Sequence, residues 1–168
     1  MSLRGVTAGA AVPFLLAWAL LAGPAVAETP VERGRYLAHI MDCGGCHNIG
    51  AMTPSPNFET PLAGGTIGFE IPGMGTFFPP NLTPDEASGL GKWSDEEIIA
   101  AFTAGMRPDG RQLAPAMPWM SYAHINADDA AALVAYLRSL KPVGNKVPGP
   151  FGPEDKPTGP FLKVVMPQ

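Results

Sequence analysis

Residues 43–47 read Cys-Gly-Gly-Cys-His, and Cys43 and Cys46 are the only cysteines in the 168-residue chain. Two thiols three positions apart with an imidazole next to them admit three chemistries: dithiol redox exchange, a metal site, or covalent attachment of a haem. A redox pair of this spacing belongs beside a βαβ unit, with a strand leading into it. A structural zinc site takes about four Cys, His or carboxylate ligands, and the other histidines, His39 and His124, stand apart with no second motif. A disulfide closing so short a loop would constrain the unfolded chain very little. C-x-x-C-H is the pattern of c-type haem attachment, in which the thiols add across two vinyl groups and the histidine lies under the iron. On this reading Cys43 and Cys46 are the attachment points and His47 is the axial nitrogen donor. One motif means one haem c.

The opposite face of such an iron needs its own ligand, and a His/Met pair is the arrangement that raises the potential of electron-transfer cytochromes. Outside the leader the methionines are Met41, Met52, Met74, Met106, Met117, Met120 and Met166. Met41 and Met52 are too near His47 to reach round to the other face, and Met166 lies at the end of the chain. Met117, between Pro115 and Pro118 in "LAPAMPWMSY", sits on a proline-stiffened loop that would hold its sulfur in place. It is the first choice and Met120 the second, with His124 as a possible replacement.

Three helices must position these groups. Thr29-Pro30-Val31-Glu32 combines an N-cap threonine, a proline at the first helical position and the glutamate of a capping box. It predicts a helix over 30–41 that ends at the cysteine motif, so a helix, not a strand, leads in. Ser94-Asp95-Glu96-Glu97 repeats the capping box and Gly105 offers a stop. Asn126 opens the last helix; acidic Asp128 and Asp129 suit its start, and Arg138 and Lys141 suit its end. Leu133, Leu137 and Leu140 put one face of it in a core, and Pro142 ends it. Residues 50–80 are rich in Pro and Gly and show no sustained strand alternation. Residues 141–168 are richer still and read as an extended tail on the surface of a 28–140 domain, or held by a partner. So few core-forming residues leave apolar volume to be supplied by something else, and a porphyrin wrapped by the loops would supply it.

The first residues read as an exported leader. Ala10–Ala22 is apolar apart from Pro13 and Trp18, and Ala25-Val26-Ala27 matches the small-residue cleavage rule. The run is shorter than the roughly 20 residues that span a bilayer. The expectation is a signal peptide over 1–27, cleaved after Ala27, with a periplasmic product. The chain carries 11 Lys+Arg against 15 Asp+Glu, a net charge of −4, and loss of Arg4 with the leader makes the remainder more acidic by one. That balance argues against nucleic acid, which is bound through phosphate neutralisation. The partners should be proteins or small molecules, and on the haem reading redox proteins.

The stretches "RGRYLAHIMDCGGCH", "PLAGG", "PPNLTPDEASGLGKWSDEEI", "AGMRPDGRQLAPAMPW" and "DDAAALVAYLRSLKPVGNKVP" together resemble a class I c-type cytochrome, and within that group the cytochrome c domains of bacterial alcohol and aldehyde dehydrogenase complexes. The resemblance implies an all-α fold in which the first and last helices cross beside the haem, with Gly34 allowing close approach and Tyr136 and Leu137 packing from the other helix. It places the axial methionine in the "MP" step, at Met117. The haem propionates are anions that need donors, and Asn81, Trp93, Arg107 and Arg111 lie in loops near the expected haem edge. Phe69, Phe77 and Phe78 are candidates to wall it. His47 should donate its second ring nitrogen to a backbone carbonyl, that of Pro56 or Pro61. The implied function is electron transfer without substrate conversion, from a periplasmic dehydrogenase toward the respiratory chain. The alternatives are an open-site haem enzyme of peroxidase type or a gas-binding cytochrome, for which His124 is the one evident distal group, and a structural subunit that anchors a catalytic partner.

Overall fold

A computed structural model describes residues 27–167; the expected leader over 1–27 lies outside them except for Ala27. Helix α1 (Pro30–Ile40) begins at a complete capping box: Thr29 accepts from the Glu32 amide, and Glu32 accepts from the Thr29 amide in return. One residue in the left-handed region, Asp42 at φ 53°, then breaks the chain direction before the single turn α2 (Cys43–His47). Helix α3 (Asp95–Ala104) carries the second capping box, between Ser94 and Glu97, and stops at Gly105 with φ 68°. A short turn α4 (Trp119–Tyr122) leads to α5 (Ala127–Ser139), whose N-cap Asn126 accepts from the Asp129 amide.

Helices α1 and α5 cross at Gly34, where any Cβ would overlap the Ala132 carbonyl oxygen and crowd Tyr136. The backbones meet because glycine has no side chain to keep them apart. Leu37, Ala38, Leu133, Tyr136 and Leu137 close over the crossing, and Ile98 and Phe102 bring α3 against the same core. Arg33 clamps the crossing from outside with two bonds to the Asp129 carboxylate, of 2.7 and 3.0 Å.

A small sheet accompanies the helices. Strands β1 (Gly68–Ile71) and β2 (Gly75–Phe77) form an antiparallel hairpin with Phe69 opposite Phe77. Its turn uses Pro72 and Gly73, the latter at φ 74°, the residue pair that a type II turn favours. Strand β3 (Phe161–Leu162) adds in parallel to β1, giving the order β2-β1-β3. Strands of four, three and two residues are too short to build a visible alternation, so the sequence pattern over 50–80 shows none. Phe151 bridges the free edge of β2 at Thr76 through bonds of 2.9 and 3.0 Å. The last part of the chain thus touches both edges of the hairpin. Among the described residues no helix is long and apolar enough to cross a membrane.

Candidate functional site

The Cys-Gly-Gly-Cys-His turn owes its shape to its neighbours. The Asp42 carboxylate folds over Gly45 so closely that a Cβ there would overlap it. The "PLAGG" stretch runs along the inner side of the turn: the Gly64 amide donates to the His47 carbonyl at 2.7 Å, and Gly65 lies against the Cys46 carbonyl with no room for a side chain. Asn48, buried, fixes that stretch by accepting from the Leu62 amide at 2.7 Å. Both thiols are free and partly buried. Burial pushes the Cys43 thiol up to about 11, and burial followed by the nearby Asp42 charge raises Cys46.

His47 is 6% exposed. Its Nδ1 lies 2.7 Å from the Pro80 carbonyl oxygen, so Nδ1 carries the proton and Nε2 is left as the free lone pair. Burial holds the imidazole below its ordinary pKa even against that hydrogen bond, which keeps it neutral. The carbonyl is not that of Pro56 or Pro61. Residues 49–60 turn back on themselves, with the Asn57 amide on the Ile49 carbonyl at 2.8 Å, whereas Gly65 carries Pro79, and hence Pro80, to the histidine through a bond of 3.0 Å.

The methionines separate by burial. Met52, Met74, Met106, Met120 and Met166 are each at least 43% exposed, while Met41 and Met117 pack against the main core. Met41 ends α1 two residues before Cys43, which leaves Met117 as the core-packed methionine remote from the motif in sequence. It stands on a tight turn, its amide donating to the Ala114 carbonyl at 3.0 Å. Tyr122, just beyond, donates its hydroxyl to the Met41 carbonyl at 2.8 Å, so the Met117 loop and the end of α1 are joined directly. Burial, and then the proximity of Cys43 and Cys46, push the Tyr122 phenol up to about 12.

The other expected residues divide. The Arg107 guanidinium lies over the Trp93 ring, 4.9 Å from its centroid, with its Nε 3.3 Å from Asp109. Arg111 borders a cavity of about 290 Å³ with Met74, Phe77 and Phe151; burial and the Arg107 charge lower its pKa. Asn81 faces elsewhere. Its amide nitrogen donates to the Val143 carbonyl at 2.7 Å and to the Ser88 hydroxyl at 3.2 Å, which uses both of its N–H groups; no donor remains for a propionate. Phe78 turns into the sheet, edge-on to Phe151 at 6.1 Å and over Gly68, because it continues the alternation of β2 inward. His39 and His124 are exposed.

The sequence profile of the cytochrome c family matches residues 31–141. The chain belongs to the cytochrome c family. It is similar to a subunit of the nicotinate dehydrogenase of Pseudomonas putida, 38% identical over 118 residues that cover 70% of this chain and 9% of that protein. It is also similar to the cytochrome c subunit of the quinone alcohol dehydrogenase of Gluconacetobacter polyoxogenes, 37% identical over 137 residues, or 76% of this chain and 27% of the relative. The gluconate 2-dehydrogenase cytochrome c subunit of Pantoea cypripedii is 36% identical over 129 residues, again 76% and 27%. This cytochrome therefore spans less than a third of the length of these relatives.

A covalently bound haem c is the cofactor the family implies, and the residues fit it. Two thiols and a neutral imidazole with a free Nε2 share one helical turn. Half-buried Leu82, Trp93, Ile99 and Tyr122 pack on the core while keeping part of their apolar surface outside it. Trp119, two residues after Met117, buries an indole N–H with no acceptor, and a propionate is an acceptor of the kind it lacks. Sequence reasoning passed over Trp119, Tyr122 and Asn48. The signal for Trp119 was available in the "MPW" stretch, since a tryptophan whose nitrogen becomes buried needs a partner for it.

Proposed function

We propose that this cytochrome is a periplasmic electron-transfer protein with one haem c, fixed by Cys43 and Cys46 and ligated by His47 and Met117. It takes electrons from a dehydrogenase and passes them toward the respiratory chain, converting no substrate itself. The bound haem would supply a one-electron Fe(III)/Fe(II) couple. Everything else belongs to the chain. His47 presents Nε2 because Pro80 holds Nδ1; Met117 offers a thioether from a turn packed on the core; Arg107, Arg111 and Trp119 are the donors available to the propionates. A class I arrangement of α1 and α5 around Gly34 keeps these parts in register. The relatives that are dehydrogenase subunits support a dehydrogenase as donor, and the net negative charge suits a positively charged docking face whose association weakens with salt.

The observation that carries this reading is the His47–Pro80 hydrogen bond within the Cys-Gly-Gly-Cys-His turn, which prepares one neutral imidazole nitrogen beside two thiols. Its test is Met117→Ala. The ferric protein should lose the weak far-red methionine-to-iron band, and the potential should fall on the order of 0.1 V or more, within the roughly 0.8 V range that axial ligands control. Met120→Ala should keep both. A Met117→Ala protein that keeps the band would show that another methionine is the ligand, whereas a parent protein that lacks the band and binds carbon monoxide when reduced would have an open iron, which points to catalysis or gas binding.

A further inference from the structure

The segment just beyond the family-matched residues is bonded to the two stretches that hold His47. The Pro80 carbonyl that accepts from the His47 ring belongs to a residue without an N–H, so its orientation depends on its neighbours. Next to it, Asn81 is 1% exposed. Its Nδ2 donates to the Val143 carbonyl at 2.7 Å, and its Oδ1 accepts from the Thr83 amide and hydroxyl at 2.9 and 2.8 Å. Thr83 in turn accepts from the Val143 amide at 3.2 Å. On the other side, Asn145 donates through Nδ2 to the Ala63 carbonyl at 2.7 Å, one residue before Gly64, whose amide holds the His47 carbonyl. The Asn145 amide also reaches the Ser88 hydroxyl at 3.0 Å. Both supports of the histidine, one on its ring and one on its backbone, are therefore a single residue away from a bond to 143–145.

We propose that Val143–Asn145 is a latch for the proximal histidine, with Asn81 as the positioning residue that aims the Pro80 carbonyl at His47 Nδ1 and Asn145 as the one that fixes the His47 backbone through Ala63 and Gly64. The inference rests on His47 being the haem ligand. Asn81 and Thr83 are buried and the bonds to Val143 and Asn145 partly so, and in such surroundings losing one hydrogen-bond partner is costly. A carbonyl aimed squarely at Nδ1–H gives the imidazole more anionic character and makes it a better donor to the oxidised iron. The latch therefore lowers the reduction potential, and loosening it raises the potential.

The test uses the full-length haem-loaded protein with Asn145→Ala and Asn81→Leu. The first removes the Ala63 bond from a partly buried position and should fold; the second is similar in size, adds no charge and cannot donate to Val143. Two readouts are taken: the midpoint potential, and exchange of the His47 Nδ1 proton with solvent, followed by NMR in the ferrous state. Both variants should keep the far-red ferric band, show a raised potential, and exchange the Nδ1 proton about tenfold faster, as loss of one buried hydrogen bond implies. Asn145→Gln, which can still donate, should recover part of both shifts. Thr29→Ala, which weakens α1 far from the latch, should change stability and neither readout. If Asn145→Ala lowers stability but leaves potential and proton exchange at the parent values, the latch is only structural and the proposal falls. If the parent protein carries no haem attached at Cys43 and Cys46 and ligated by His47, the functional reading falls and takes the latch with it.

Discussion

The α1–α5 crossing and the loops over 48–83 are held by different means. Between the helices, contact is a surface: Gly34 lets the backbones touch, and leucines and Tyr136 fill in around the point of closest approach. Between the loops, contact is a series of single hydrogen bonds, such as Asn48 to Leu62, Gly64 to His47, and Asn81 to Val143. A packed surface tolerates small changes spread over many atoms, whereas each bond in the loops fixes one direction. The histidine is positioned by the second kind of structure and merely supported by the first. Stability and aim are thus assigned to separate parts of the chain.

The largest effect should come from the crossing itself. In Gly34→Val the new side chain has nowhere to go but into the Ala132 carbonyl and Tyr136, and a loss of about 3 kcal/mol or more is expected from such overpacking. Urea unfolding of the haem-loaded protein measures it; an unchanged midpoint would show that the helices separate freely and that the comparison is wrong. Asn48→Ala should cost less, about 1–3 kcal/mol, for a buried Leu62 amide left without its acceptor. Its signature should be local: amide exchange should accelerate around Leu62 and Gly64 while α1 and α5 keep their protection. Uniform acceleration would mean that loops and helices open as one unit.

The smallest effect concerns the Arg33–Asp129 pair on the outside of the crossing. The Arg33 side chain, helped by Asn126, holds the Asp129 carboxyl below its ordinary value. Because the folded pKa is depressed, the stabilisation is present above the unfolded value of about 3.9 and disappears as pH falls through the folded one. Arg33→Gln should therefore melt slightly earlier than the parent at neutral pH, and the two should converge in acid. A gap that widened below pH 4 would assign the pair no stabilising role.

The helices were legible because each announces its ends chemically. Both capping boxes, the Asn126 cap and the Gly105 stop form as their residue types require. The motif turn was legible because covalent chemistry demands its spacing. The hairpin was not, since its short strands carry no periodic signal and β3 pairs with a strand far earlier in the chain. Which proline carbonyl meets His47 was equally hidden: Pro56, Pro61 and Pro80 all lie in loops, and only the Gly64 and Gly65 amides, seen in place, bring the last of them to the ring. Asn81 looked like a donor for an anion because asparagine in a loop near a site often is. Its true acceptor, Val143, is 62 residues away, a separation that no local reading bridges.

The hydroxyl of Tyr122 on the Met41 carbonyl ties the loop that carries Met117 to the arm that leads into Cys43 and His47. For a carrier, speed depends on how little the surroundings must move when charge arrives or leaves. On the proposed ligation by His47 and Met117, a direct tether between these two arms should limit how far they move apart when the iron changes oxidation state, and so keep the reorganisation energy of each transfer small. Burial holds the phenol above its ordinary value, so the tether stays protonated across neutral conditions, and this cytochrome's self-exchange rate should be flat in pH throughout that range.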